Sequence, residues 1–365
     1  TLINKSTFIT QKFSNALKSG NWGNDQKSKR KEVSQQYGCY NLLTSFHLLR
    51  KVSANISTEG KLVEPRKVHS SGYGYICPYE TSEGKTCGLV KTLSVGAYIS
   101  IGSSPLILIE ILEKIKKIKL FKNVEKGNLD INDKDIVIIS VNGIWVGMID
   151  IKSSENLYTL LKNMKRNLTI DYTTDIIFDK NERRMYLNCT SGRYMRPLFV
   201  IKNNSLVITK KDINLLKDGK ITFSNLISCG AIEFLSPSEQ ENEKICNYPR
   251  EVNKGFTYCE IHPSMIFGFG VSTTPYANHN QGPRLAYQAS MGRQTVALLS
   301  QNYNNIMKGT FQVLLYPQKP IVSSKIINMS GHSELPTGQN AIVAVMPFEG
   351  INQEDSIIVI VEFII

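Results

Sequence analysis

The sequence predicts a multidomain α+β protein. Its 365 residues, 41% of them hydrophobic, are enough to bury more than one core. Apolar residues at helix spacing occur near the amino terminus and again after residue 284, and between them short β-rich runs alternate with helical ones. A Gly-rich stretch from 51 to 100 separates the first helical part from the rest.

Residues 1–50 read as helical, with Phe8, Phe13 and Leu17, then Leu42, Phe46 and Leu49, at helix spacing around a charged insert, DQKSKRK at 25–31, that reads as a solvated loop. GNWG at 20–23 breaks the first helix. In 51–100, Gly60, Gly72, Gly74, Gly84 and Gly88 punctuate short strands and permit close backbone approach. Leu106 to Ile111 and Asp135 to Ile149 read as strands, the latter folded at an Asn142-Gly143 hairpin turn. Leu157 to Met164 reads as a short helix, and 236–250 as a polar surface loop. Beyond 257, the apolar runs Phe311 to Tyr316 and Ala341 to Met346 read as strands of a compact β-rich domain wrapped around a helix at 284–303.

A formal net charge of +12 favours an anionic partner. The excess is uneven: residues 1–91 hold 14 Lys and Arg against 6 Asp and Glu, whereas 257–365 hold 5 against 6, so phosphate attraction concentrates in the amino-terminal part. The basic run Lys114, Lys116, Lys117, Lys119 and Lys122 reads as a solvated edge. Seven cysteines without a CxxC pair indicate neither a zinc ribbon nor a disulfide framework, and read as reduced core residues. No apolar run approaches the ~20 residues that span a bilayer. A first residue other than Met and an apolar last run suggest a piece of something longer.

Three constellations carry chemistry. The first is NHNQGPRLAYQASMGRQ, where Pro283 suits the first helical position, Asn280 or Gln281 can cap it, and Arg284 falls in the first turn. Arg284 and Tyr287 on adjacent turns suit a polyphosphate with a base or sugar beside it, although a capped helix with a solvated Arg has the same spacing. The second interleaves Arg66, Lys67, His69, Lys85 and Lys91 with Tyr73, Tyr75 and Tyr79, which suits phosphates with stacked bases as well as it suits core tyrosines among solvated lysines. The third is GINQEDS, where Glu354 and Asp355 follow a turn at Gly350; they suit a hard cation, or simply an acidic turn. There is no GxxxxGK[ST] loop and no GxGxxG after a strand, so a free-standing nucleotide-binding enzyme is disfavoured.

The words CEIHPSMI, NHNQGPRLAYQASMGRQ, YPQKP, ELPTGQNAIVAV and GINQEDS, with GKLVEPRKVHSSGYGYICPYETSEGKTCGLVKTLS upstream, resemble in order and spacing the second-largest (beta) subunit of multisubunit DNA-dependent RNA polymerases, closest to the eukaryotic and large-DNA-virus type. The resemblance implies a helical end of a protrusion-like region at 1–50, a fork region at 51–100, external domains at 101–204 and 205–256, and the first part of a β-barrel-containing hybrid-binding domain from 257 to 365. NGIWVG and SGRYMRPLFVI, with Arg193 and Arg196, resemble the external domains on the enzyme surface.

The resemblance further implies a part of the catalytic core that holds the RNA–DNA hybrid and the incoming nucleoside triphosphate. Arg284, a catalytic candidate with Glu354 and Asp355, would bind the substrate with Tyr287. Arg66, Lys67, Lys85, Lys91, Gln281, Arg293 and Gln294 would bind nucleic acid. Glu354 and Asp355 would serve a second magnesium ion, directly or through water, with the main magnesium site on the largest subunit and no zinc in this chain. Relatives commonly carry Lys where this chain has Arg293. The implied partners are the largest and other polymerase subunits, DNA template, nascent RNA and nucleoside triphosphates, with no membrane; the location would be intracellular, nuclear for a cellular eukaryote, and cytoplasm or virion for a virus. The chain alone should be inactive, since no DFDGD-like aspartate triad occurs in it. A nucleic-acid-binding module without chemistry is the alternative; adjacent carboxylates beside an anion site argue against it, because without a metal they would repel phosphate.

Overall fold

The computed structural model describes residues 6–19, 37–38, 40–54, 56, 62–121, 135–253, 255–305 and 312–360. The insert at 25–31, the GNWG break, Cys39, Lys122 and Phe311 lie outside the described residues. Helix α1 (Ser6–Ser19) forms as its spacing implies, with Phe8, Phe13 and Leu17 exposed. Helix α2 (Leu42–Arg50) starts at Asn41, whose Oδ1 accepts the Thr44 N–H at 2.8 Å and so satisfies a helix-end donor.

Strands β1 (Lys51–Ser53), β2 (Ile76–Thr81) and β3 (Val90–Leu93) form an antiparallel sheet in the order β1-β3-β2, with Lys51 opposite Thr92 and Ile76 opposite Leu93. The loop between β2 and β3 folds back on the preceding segment at Gly88: its φ is +76°, and a Cβ there would collide with the Arg66 carbonyl. Strand β4 (Tyr98–Ile99) leads out of this sheet.

After helix α3 (Pro105–Lys114), strands β5 (Lys119–Leu120), β6 (Ile136–Val141) and β7 (Ile144–Asp150), helix α4 (Ile151–Arg166), and strands β8 (Asp175–Asp179) and β9 (Arg184–Asn188) build a sheet in the order β5-β7-β6-β9-β8. The β6–β7 hairpin turns at Asn142 (φ 50°) and Gly143 (φ 83°), the left-handed pair that the sequence implied. Its inner residues Val137, Ile139 and Val141 pack with Leu157 and Leu161 of α4 and with Leu108 and Leu112 of α3 in one core. α4 is longer at both ends than the expected 157–164, because its inward stripe continues past Leu161 into buried Lys162 and Lys165.

Strands β10 (Tyr194–Lys202) and β11 (Ser205–Leu206), helices α5 (Lys210–Lys217) and α6 (Phe223–Ser228), strand β12 (Ile232–Leu235), helix α7 (Pro237–Gln240), and strands β13 (Ile245–Cys246) and β14 (Tyr258–Cys259) follow. β10 pairs antiparallel with β4, β11, β12 and β14, so one strand ties the 51–100 segment to what lies beyond 205. A buried ion network crosses between sheets. Lys162 lies 3.2 Å from Glu233 and 3.1 Å from Glu239, Lys165 lies 3.0 Å from Glu239, and Arg166 lies 2.8 Å from Glu233. Burial alone would raise the Glu233 carboxyl, but Lys162, Lys165 and Arg166 hold it down at about 2.

Several expectations are corrected. Leu106 to Ile111 is helical in α3, since Ser104 caps the turn, Pro105 takes the first position, and Leu108 and Leu112 fall four apart on the buried side. The 236–250 segment is a surface loop only in part: α7 and β13 lie in it with Glu239 and Cys246 buried, while 247–250 are exposed. Within the word SGRYMRPLFVI, Arg196 is buried: it is 4% exposed, with NH1 2.7 Å from Glu260 and Nε donating to Gln240 at 2.7 Å. Arg193 is paired with Asp175 at 2.7 Å. Of the described cysteines, all free, Cys87 and Cys229 are exposed and the other four buried.

Among the described residues, α8 (Phe269–Ser272), α9 (Gly282–Gln294) and α10 (Lys325–Met329) are the α-helices after β14. The helix expected at 284–303 ends at Gln294, where Asn41 Nδ2 donates to the Gly292 and Thr295 carbonyls at 2.8 Å each and so satisfies helix-end acceptors. Among the described residues, 312–316 and 341–346 form no strand and no closed barrel is present. Ile342 and Val345 are fully exposed: an apolar run becomes a strand only where a neighbour accepts its backbone hydrogen bonds, and the described chain offers 341–346 none.

Candidate functional site

The candidate site is built on α9. Pro283 occupies its first turn, and Gln281 stands at the cap position without a side-chain capping bond; its carbonyl instead accepts the Arg284 N–H at 3.1 Å. Leu285 and Ala289 point inward and pack with Cys77 of β2 and Val271 of α8. Arg284 and Tyr287 point outward, both exposed, with the guanidinium 5.8 Å from the centre of the Tyr287 ring. Such a pair offers planar donors and a ring together. Gln294 is exposed at the carboxy-terminal end. Just before the helix, Tyr276 sits in a left-handed conformation, 69% exposed, with its ring edge-on to His279 at 5.7 Å.

The other predicted residues divide. Arg293, expected with Gln294 among the nucleic-acid contacts, faces inward: NH1 lies 2.8 Å from Glu80 Oε1 and 3.3 Å from His47 Nδ1, and its side chain is 15% exposed. Glu80 and His47 are residues that the sequence reading missed. Arg66 donates from NH1 to the carbonyls of Lys85 and Cys87 at 2.8 and 2.9 Å, which shapes the loop that displays Lys85. Lys67 is exposed and paired with Glu64 at 2.7 Å, and Lys91 is half-buried on β3. Of the interleaved tyrosines, Tyr75 is core, 1% exposed with its hydroxyl donating to the Leu235 carbonyl at 3.0 Å, whereas Tyr73 and Tyr79 reach the surface. Tyr79 packs against the start of α9, where a Cβ on Gly282 would lie 2.7 Å from its ring.

Glu354 and Asp355 are exposed in a turn where Gly350 and Glu354 both have positive φ. Ser356 Oγ, 2.9 Å from the Ile351 carbonyl and 2.6 Å from the Gln353 carbonyl, holds that turn closed. Among the described residues no ion pair joins either carboxylate to α9, and no group of three or more His, Cys, Asp or Glu is placed to hold a metal ion. The two carboxylates are unpaired hard donors that fit a cation completing its shell with water or with ligands from elsewhere.

Residues 35–99 match the family description RNA polymerase Rpb2, domain 3; residues 139–202 match RNA polymerase Rpb2, domain 4; and residues 271–364 match RNA polymerase Rpb2, domain 6. The chain is 41% identical, over 97% of its length, to DNA-directed RNA polymerase II subunit RPB2 of Encephalitozoon cuniculi (strain GB-M1), covering 32% of that protein. It is 34% identical over 98% of its length to DNA-directed RNA polymerase II subunit RPB2 of Schizosaccharomyces pombe, covering 33%. It is 30% identical over 98% of its length to DNA-directed RNA polymerase subunit Rpo2 of Sulfolobus acidocaldarius, covering 32%. The chain therefore spans about one third of the length of the curated relatives it matches. With three domain descriptions in order and relatives alike along nearly all of it, the chain belongs to the Rpb2 family, the second-largest subunits of DNA-directed RNA polymerases.

Proposed function

We propose that the chain forms part of the catalytic core of a DNA-dependent RNA polymerase, a nucleotidyltransferase, and helps hold the RNA–DNA hybrid and the incoming nucleoside triphosphate during template-directed RNA synthesis. The observation that carries this reading is the outward pair Arg284 and Tyr287 on a helix packed against the 76–93 sheet, in a chain of this family. Arg284 presents parallel N–H donors to phosphate oxygens, and Tyr287 offers a ring and hydroxyl to the base or sugar. Gln281 and Gln294 flank that face, while Lys67, Lys85 and Lys91, with the loop held by Arg66, offer cations to the nucleic-acid backbone. The segments 51–100, 101–204, 205–256 and 257–365 take the fork, first external, second external and hybrid-binding roles.

Glu354 and Asp355 would hold a second magnesium ion, directly or through water; when bound, the ion offsets charge on the leaving pyrophosphate. The main magnesium site lies on the largest subunit, a partner with the other polymerase subunits, DNA template and nascent RNA. A nuclear location follows for a eukaryotic source. The test is Arg284→Ala in the complete enzyme: a triphosphate contact in a partly desolvated site is worth ~1.5–3 kcal/mol, so nucleotide KM should rise and the rate fall, with Arg284→Lys recovering only part. Wild-type kinetics at limiting nucleotide would remove Arg284 from the site.

A further inference from the structure

We infer that Glu80 and Arg293 form a strut that fixes the position of α9, so that Arg293 is a positioning residue for Arg284 and Tyr287 and not a contact to nucleic-acid phosphate; this rests on the nucleotide reading above. Nine residues on at about 100° per residue, Arg293 lies roughly 180° around the helix from Arg284, in line with buried Leu285 and Ala289 at intervals of four. It meets a carboxylate built into the fold. Glu80 of β2 has a side chain 1% exposed, and its Oε1 lies 2.8 Å from Arg293 NH1 and 3.2 Å from His47 Nδ1. Oε2 accepts the Gly270 N–H at 3.2 Å. Two glycines make the room: a Cβ at Gly268 would sit 2.5 Å from Oε2, and one at Gly270 2.9 Å from Oε1.

The apolar contacts of Leu285 and Ala289 are non-directional and would tolerate a slide of α9 along its groove. The charged pair is directional, and removing one partner leaves an uncompensated buried charge. Thr44 Oγ1, donating to the Arg293 carbonyl at 2.5 Å, pins the same residue from the α2 side. The pair thus links the sheet of the 51–100 segment to the helix that displays Arg284. A shift of about 1 Å at a reacting geometry can cost up to 10²-fold in rate, so the strut bears on nucleotide use without touching nucleotide.

The test uses complete polymerase carrying Glu80→Gln, Arg293→Met, both together, or Arg293→Lys, with nucleotide KM and kcat, salt-dependent retention of nucleic acid, and melting measured for each. The strut predicts a drop in kcat/KM of roughly tenfold for either single substitution, a double no worse than one single, substantial recovery with Arg293→Lys, and a wild-type salt dependence. Independent, multiplying losses with a shallower salt slope for Arg293→Met alone would make Arg293 a phosphate contact and overturn the inference. Unchanged kcat/KM in both singles would also overturn it. If those singles fail to assemble, the charge-retaining Glu80→Asp decides: normal melting with reduced kcat/KM supports the strut, and normal kinetics refute it. Arg284→Ala in the same assay separates the two levels. If it impairs nucleotide use while the strut variants do not, only the strut fails; if it does not, the nucleotide reading itself fails.

Discussion

Replacing Glu233 with Gln should destabilise the protein through the buried network that joins α4 to β12 and β14. Glu233 is 3% exposed; Oε1 lies 3.2 Å from Lys162, while Oε2 accepts from Arg166 Nε at 2.8 Å and from the Tyr258 hydroxyl at 3.0 Å. Glutamine keeps the shape but has one acceptor oxygen, so a donor is left facing an amide N–H₂, and three cations lose a counter-charge. Breaking a buried pair by removing one partner costs about 3–5 kcal/mol, and the carboxyl held well below its ordinary range by three cations points in the same direction. The melting temperature at pH 7 should fall by something on the order of 5 °C. The pH dependence supplies the sharper check. Because the folded pKa is depressed, the wild-type advantage is complete above about pH 4.5 and is lost as pH falls toward about 2, so the two melting curves should converge in acid. Equal melting at pH 7, or a gap that persists unchanged at pH 2–3, would refute the network as a source of stability.

Three further outcomes follow from the same structure. Converting Glu354 and Asp355 together to amides in assembled enzyme should slow elongation at low magnesium and recover in part as magnesium is raised, with normal melting; an unchanged rate at low magnesium would make them an ordinary acidic turn. The chain alone should bind nucleic acid weakly with a steep salt dependence and should not extend an RNA primer in magnesium, and primer extension by purified chain would disprove a main metal site on another subunit. Asn41→Ala removes the α2 cap and the two donors at the end of α9, so it should lower stability by about 1–2 kcal/mol in chemical denaturation, and a shift below a few tenths would rule out that double role.

Local chemistry was readable in the sequence wherever a short stretch dictates its own backbone. Asn142-Gly143 specified a hairpin because few other pairs accept two left-handed residues in succession, and Pro283 marked the start of α9 because it lacks the N–H that a first turn leaves unpaired anyway. The motif words around Arg284 and Glu354 carried the family. Even the inward direction of Arg293 was encoded in its spacing from Leu285 and Ala289, although the resemblance set it with Gln294 among the nucleic-acid contacts. What tertiary structure alone decided is who meets whom. Which side of α3 is buried was likewise decided by packing: Ser104 and Pro105 mark the start of a helix, but only the shared core with β6 shows that Leu108 and Leu112 face inward. Glu239 looked like a solvated loop residue until Lys162 and Lys165, more than seventy residues away in sequence, supplied the charge that lets a carboxylate be buried. Glu80 likewise became the anchor of α9 only when Gly268 and Gly270 left room for it and Arg293 arrived from the opposite side of that helix, because a buried ion pair is a property of two distant segments and of the water they exclude together.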